Sequence, residues 1–201
     1  WQSHELVFSQ TCGLPFRAGL HDKVQLIGTP DYGLIDCPAG YYNSVIVVSL
    51  ASNIRDLKSL EGQSMAYNEG LSQSGWAAPQ AHLKQANVSF KTGPCTGSHK
   101  ASARAVATSG ADFAAIDALT WEMLRFNMPE VTDKLRVLDR TVPTPALPYI
   151  TSMPQDAGTI ANAVESAIKA LPTAARETLH LKGLVRLAPS AYLEMPLPTA
   201  P

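Results

Sequence analysis

Three short apolar runs constrain the fold of this chain more than any other feature. They are Met65-Ala66-Tyr67, Val88-Ser89-Phe90 and Phe113-Ala114-Ala115-Ile116. Each leads through a polar loop into a helix-like stretch, at residues 75–86, 98–109 and 118–127. Strand–helix alternation of this kind implies an α/β fold, a parallel sheet and right-handed crossovers. The loops after parallel strands share one edge, the carboxyl edge, where open α/β sheets bind ligands. Here those loops are Asn68-Glu69-Gly70-Leu71-Ser72-Gln73-Ser74-Gly75, Thr96-Gly97-Ser98-His99 and Asp117-Ala118. They point to a site for a small polar or anionic molecule.

The flanking segments are less regular. Leu6-Val7-Phe8 reads as a short strand, and Val24-Gln25-Leu26-Ile27-Gly28 alternates like one. The β-branched run Ser44-Val45-Ile46-Val47-Val48-Ser49 predicts a strand buried on both faces. Residues 53–62 read as a short helix stopped by Gly62. Leu135-Arg136-Val137-Leu138 is a further strand, and the Pro-rich stretch 142–148 is extended. Residues 156–171 place Ile160, Val164, Ala167, Ile168 and Leu171 on one helical face, and residues 174–181 also read as helix. The predicted organisation is a lobe formed by residues 1–52 and 141–201, with an α/β lobe of residues 53–140 inserted. Two connecting passages allow such lobes to close on a ligand by hinge motion.

Composition removes several classes. The formal net charge is −1, without a basic cluster, which argues against nucleic acid as a partner. No apolar stretch is long enough to span a bilayer. Cys12, Cys37 and Cys95 are far apart and lack a C-x-x-C pair, so neither a metal nor another cofactor is expected. One disulfide with one thiol suits an oxidising compartment, and three thiols suit a reducing one equally. If the protein is exported, Cys12 and Cys37 are the expected pair.

Candidate site residues come from the loops. Ser72 or Ser74 suits the N-cap of the following helix, and Gln73 and Gly75 share its first turn. Free N–H groups there, with the helix dipole, suit an anion; plain capping explains the same residues. Ser98 repeats the capping theme, and Gly97 lets the backbone approach a ligand. A neutral His99 could donate one N–H to an oxyanion; a solvated surface histidine suits its local sequence at least as well. Asp117, at a strand end, could accept from a ligand hydroxyl or amine, or cap the next helix. Gln10 and Thr11 follow the first strand in the matching position, and Tyr42 precedes the run at 44–49. No catalytic residue is assigned: G-x-S-x-G, H-E-x-x-H and P-loop patterns are missing, and spacing places no serine or cysteine beside His99.

The series Asp56-Leu57-Lys58-Ser59-Leu60-Glu61-Gly62, Ser72-Gln73-Ser74-Gly75, Gly97-Ser98-His99-Lys100-Ala101-Ser102 and Gly110-Ala111-Asp112-Phe113-Ala114-Ala115-Ile116-Asp117 resembles the phosphate/phosphonate-type substrate-binding proteins of ABC importers. The resemblance implies a two-lobed type II periplasmic-binding-protein fold with the ligand in a cleft between lobes. It implies a periplasmic location, a small anionic or zwitterionic ligand and an ABC transporter permease as partner. It maps oxyanion contacts onto Ser72, Gln73, Ser74 and Gly75, and further ligand contacts onto His99, Asp117 and Tyr42. The family's first strand and helix have no counterpart before Trp1, so they are expected to be missing. The alternatives are a binder of a zwitterionic or amine-bearing metabolite, and an enzyme sharing the fold.

Overall fold

The computed structural model describes all residues, Trp1–Pro201. The strands are β1 (Ser9–Gln10), β2 (Val24–Asp31), β3 (Tyr41–Tyr42), β4 (Ser44–Ser49), β5 (Ser64–Tyr67), β6 (Lys91–Cys95), β7 (Phe113–Asp117), β8 (Leu135–Arg140), β9 (Thr144–Pro145), β10 (Tyr149–Ser152) and β11 (Gly183–Val185). The α-helices are α1 (Gly13–Pro15), α2 (Ala78–Gln85), α3 (His99–Ala107), α4 (Ala118–Asn127), α5 (Pro129–Thr132), α6 (Ala157–Ala170), α7 (Thr173–Thr178) and α8 (Ser190–Leu193). Two π-helical turns, Phe16–Leu20 and Gln73–Ala77, extend α1 and precede α2, and Leu57–Leu60 is a 3-10 turn capped by Asp56. The chain forms two compact units: residues 1–42 with 143–197, and residues 43–142 with 198–201.

The second unit is a five-stranded sheet in the order β6-β5-β7-β4-β8. β5 runs parallel to β6 and β7, as the alternation predicts. β4 corrects two expectations. It pairs antiparallel with β7 and β8, so the sheet is mixed, and it belongs to this unit rather than to the first. The reason is burial. Val45, Ile46, Val47 and Val48 are all 0% exposed, and such a run needs cover on both faces of its sheet. The unit boundary therefore falls at 42/43 rather than at 52/53.

β6 is a second correction: it lies at Lys91–Cys95, not at Val88–Phe90. As an edge strand it carries polar, exposed residues and Pro94, which a central strand would exclude. Val88 is buried, while the Phe90 ring packs edge-on against Trp76 and Phe113, at centroid distances of 6.0 and 5.9 Å. These rings join Ile46, Leu60, Met65 and Leu83 in the core. The end of the chain returns here, where Trp76 Nε1 and Gln80 Nε2 donate to the Thr199 carbonyl at 2.8 and 3.0 Å.

The first unit is a four-stranded sheet in the order β1-β10-β2-β11, with antiparallel neighbours throughout. Its core holds Phe16, Leu20, Val24, Ile150 and Tyr192. The strand expected at Leu6–Phe8 is displaced to Ser9–Gln10; Val7 and Phe8 are exposed, with the Phe8 ring 4.9 Å from that of Tyr149. Tyr192 sits in α8, inside the Pro-rich tail, fully buried and edge-on to Phe16 at 5.2 Å. Thr29 Oγ1 and Tyr192 Oη lie 2.6 Å apart, and Tyr192 Oη donates to the Ala146 carbonyl at 2.7 Å. Because that carbonyl can only accept, Thr29 is the donor to Tyr192. Burial pushes the Tyr192 hydroxyl well above its ordinary pKa, so it stays protonated. Cys12, Cys37 and Cys95 are all thiols, so the expected Cys12–Cys37 bridge is not formed.

Candidate functional site

The pairing of the second unit brings more residues to its carboxyl edge than the three loops alone. β5, β6 and β7 end there. β4 begins there, because Ser44 is opposite Asp117, and β8 ends there, because Val45 is opposite Arg140. The edge therefore collects Ser44, Asn68, Ser72–Gly75, Ser98, His99, Asp117 and Arg140.

Each loop caps its helix. Ser72 Oγ accepts from Gly75 N at 3.0 Å, Ser98 Oγ from Ala101 N at 3.1 Å, and Asp117 Oδ1 from Thr120 N at 2.8 Å. Gln73, Ser74 and Gly75 are buried in the π-helical turn that begins the α2 segment. The Ser74 carbonyl accepts from Ser44 Oγ at 2.8 Å, which fixes that turn against β4. Gly75 is required by close approach. A Cβ there would collide with Asn68 Oδ1 and come within 3.2 Å of the His99 ring. Gly97 has a different reason: its φ is +81°, and a Cβ would meet nothing within 4 Å, so backbone conformation rather than crowding calls for glycine.

At the centre, Ser74 Oγ and His99 Nε2 form a 2.9 Å hydrogen bond. This corrects the expectation that no nucleophile-type side chain lies beside His99; a separation of 25 residues in sequence hid the contact. Burial lowers the His99 pKa below its ordinary value, against the opposing pull of Asp117, the Ala115 carbonyl and Glu69. Burial likewise raises that of Asp117, against the opposing effects of His99 and the amides of the α4 first turn. Both groups are thus biased toward neutral forms, and each favours the charge of the other. Asn68 Oδ1 is buried beside them without a hydrogen-bond partner.

Ser44, Asn68 and Arg140 were not among the sequence candidates. Arg140 Nη1 donates to Asn43 Oδ1 at 3.4 Å, so this edge also carries a guanidinium. The other three candidates lie in the first unit. Gln10 Nε2 donates to Tyr32 Oη at 3.0 Å and to the Leu147 carbonyl at 3.1 Å. Thr11 is buried, its N–H donates to the Pro148 carbonyl at 3.0 Å, and its hydroxyl has no hydrogen-bond partner. Tyr42 is 1% exposed and pairs through β3 with Thr144. No helix is long and apolar enough to cross a membrane.

Comparisons give this arrangement a context. The family described as "ABC transporter, phosphonate, periplasmic substrate-binding protein" matches residues 14–192. No curated protein matches the chain. Among solved structures, PhnD1 from Prochlorococcus marinus in complex with methylphosphonate is similar at a TM-score of 0.73 and 20% identity, covering 93% of this chain and 75% of that one. XAC2383 from Xanthomonas citri bound to chloride ion is similar at 0.71 and 16%, covering 94% and 74%. The PA3383 binding-protein component of an ABC phosphonate transporter from Pseudomonas aeruginosa gives 0.71 and 17%, covering 93% and 65%. At these identities the likeness establishes the fold, that of two-lobed periplasmic binding proteins. The family match extends over most of the chain, and the protein belongs to the periplasmic phosphonate-type substrate-binding proteins of ABC transporters.

Proposed function

We propose that this chain captures a small phosphonate- or phosphate-like oxyanion for an ABC importer, in the periplasm, without transforming it. The observation that carries the proposal is the 2.9 Å Ser74–His99 bond at the start of a helical segment on the strand-end edge. First-turn N–H groups have no partner within their helix, and the dipole favours an anion beside them. Of the turn at 72–75, Ser72 N and Gly75 N already donate to the Glu69 carbonyl and to Ser72 Oγ, so the reading assigns the oxyanion to the N–H groups of Gln73 and Ser74 and to the Ser74 hydroxyl. An entering oxyanion exchanges the Ser74–His99 bond for two bonds to itself, from the Ser74 hydroxyl and an N–H of His99. Asp117, biased toward its protonated form, accepts from or donates to a ligand oxygen. In the first unit the reading assigns ligand contact to Gln10, Thr11 and Tyr42, and the unpartnered Thr11 hydroxyl suits a donor awaiting an acceptor. The permease of an ABC importer is the macromolecular partner.

A thermal-shift screen tests the ligand class. Inorganic phosphate or methylphosphonate should raise Tm, since a ligand at a hundredfold its Kd stabilises by about 2.7 kcal/mol. Stabilisation by organic cations alone would transfer the central role to Asp117 and a positively charged ligand. The same hydrogen bond also supports a second reading, because a serine within reach of an imidazole has the make-up of a nucleophile–base pair. Mass spectrometry separates the two: the bound compound should be recovered intact after hours. Steady product release, abolished in His99→Ala, would establish an enzyme.

A further inference from the structure

We propose that the first unit holds a second ligand site, built between α7 and the β2–β11 edge, that takes a small monoanionic carboxylate with a flat apolar body. A cavity of about 470 Å³ lies there, within the range of small-molecule sites. Its walls include Tyr32 and Leu181, and its polar side chains include Thr173, Arg176, His180 and Lys182, with Glu177 the single carboxylate.

Local structure gathers these groups. Just past α7, His180 takes the left-handed region at φ +50°, while Leu181 N donates back to the Arg176 carbonyl at 2.9 Å. That cap folds residues 180–182 back beside Arg176. Lys182 N then donates to the Asp31 carbonyl at 2.8 Å, which ties the segment to the end of β2. Gly33, at φ +57°, forms part of the wall: a Cβ there would run into the Lys182 side chain, whose aliphatic stem therefore lies on bare backbone. Tyr32 is held by the hydrogen bond its hydroxyl accepts from Gln10 Nε2.

The charge pattern sets the ligand class. Arg176 Nε is buried without a hydrogen-bond partner, a state that costs free energy until an acceptor arrives. Neither Arg176 nor Lys182 has a carboxylate within ion-pair distance, and Glu177 pairs with neither. Two cations against one carboxylate leave room for one negative charge. The planar guanidinium matches a carboxylate by paired N–H donors, and Lys182 adds a point charge. Tyr32 and Leu181 accept the apolar remainder. This site shares no residue with the Ser74–His99 cluster; its one link to the oxyanion reading is Gln10, which holds Tyr32.

The test is an NMR titration of the isotopically labelled chain with benzoate, benzylamine and inorganic phosphate. Benzoate should give saturable shifts confined to residues 31–33 and 173–182, and benzylamine none. Arg176→Gln combined with Lys182→Gln should weaken benzoate about tenfold or more, since two charge-assisted bonds are lost. Arg176→Lys with Lys182→Arg, which keeps both charges, should restore part of the affinity. Shifts at residues 72–75 and 99 on adding methylphosphonate should persist in the double variant. An absence of saturable benzoate shifts overturns the site, as does equal binding of benzylamine. Phosphate shifts of the same affinity in the same residues would reduce it to non-selective charge attraction.

Discussion

The two units differ in what most of the polar side chains around their key features do. In the second unit Ser72, Ser98 and Asp117 cap helices at one sheet edge, and Ser74 and His99 meet between them. In the first unit polar side chains fasten remote parts of the chain. Thr151 Oγ1 donates to the Leu6 carbonyl at 3.1 Å, Ser152 Oγ to that of His4 at 2.9 Å, and Arg17 to that of Pro196 at 3.2 Å. The Thr29–Tyr192–Ala146 chain does the same in the core. Polar groups at strand ends can exchange partners with a ligand. Polar groups that lock segments more than 100 residues apart cannot do so without loosening the unit.

This contrast predicts a graded series of effects. The largest belongs to the shared requirement of both units, an apolar core. Phe113 is fully buried against Phe90, so Phe113→Ala should cost about 3–5 kcal/mol by denaturant unfolding. Protection of the β4 and β7 amides in hydrogen exchange should fall with it; a cost below about 1 kcal/mol would show that the site collapses freely.

The next effect isolates the locking role in the first unit. Tyr192→Phe keeps the ring but strands the Ala146 carbonyl and the Thr29 hydroxyl, at a cost of about 1–3 kcal/mol. The same measurement on Thr29→Val should show non-additivity with Tyr192→Phe, because the two changes remove one network. Strict additivity would break the contrast between locking and edge polar groups.

A smaller effect is expected at the edge. Asp117→Ala loses the cap on Thr120 N, worth about 1 kcal/mol, while Asp117→Asn retains it and should lie closer to wild type by thermal unfolding. Equal losses would mean that the charge beside His99, not the cap, is what Asp117 contributes.

The smallest effect concerns pH. Burial holds the folded-state pKa of His99 below its unfolded value of about 6.5, so the folded protein binds fewer protons there. The contribution of His99 to stability is complete above that value and is lost as pH falls through the window beneath it. Asp117 has the opposite sign, since its raised pKa favours the folded state as the carboxyl takes up a proton at lower pH. Wild-type Tm should therefore fall more steeply than that of His99→Gln just below about pH 6.5. Parallel curves would show that His99 titrates alike in both states.

How much of this was legible follows the same division. In the second unit, β7 and α4 stand where the apolar run at 113–116 and the helical stretch at 118–127 placed them, because a strand, its loop and its helix are neighbours in sequence. The cap residues Ser72, Ser98 and Asp117 were visible for the same reason. Ser44 and Arg140 were not, since antiparallel pairing carries the start of β4 and the end of β8 to that edge from outside the strand–helix series. The first unit was hardest to read. Its central pairing joins Leu26 to Ile150, and β11 and α8 are short pieces held by long-range partners rather than by local periodicity. Phe8 shows the limit in miniature: apolar and strand-like by pattern, it lies half exposed on Tyr149 just before the strand begins.

The central claim is that Ser74 serves a ligand rather than the fold. Its hydroxyl bonds only to His99, so Ser74→Ala should still fold, at a cost of about 1–3 kcal/mol for leaving the buried imidazole Nε2 unpaired. Isothermal calorimetry with methylphosphonate on wild type and Ser74→Ala tests it directly. A hydrogen bond to a charged group is worth about 1.5–3 kcal/mol, so one-to-one binding by wild type should weaken about tenfold or more in the variant. Unchanged affinity in Ser74→Ala would contradict the account.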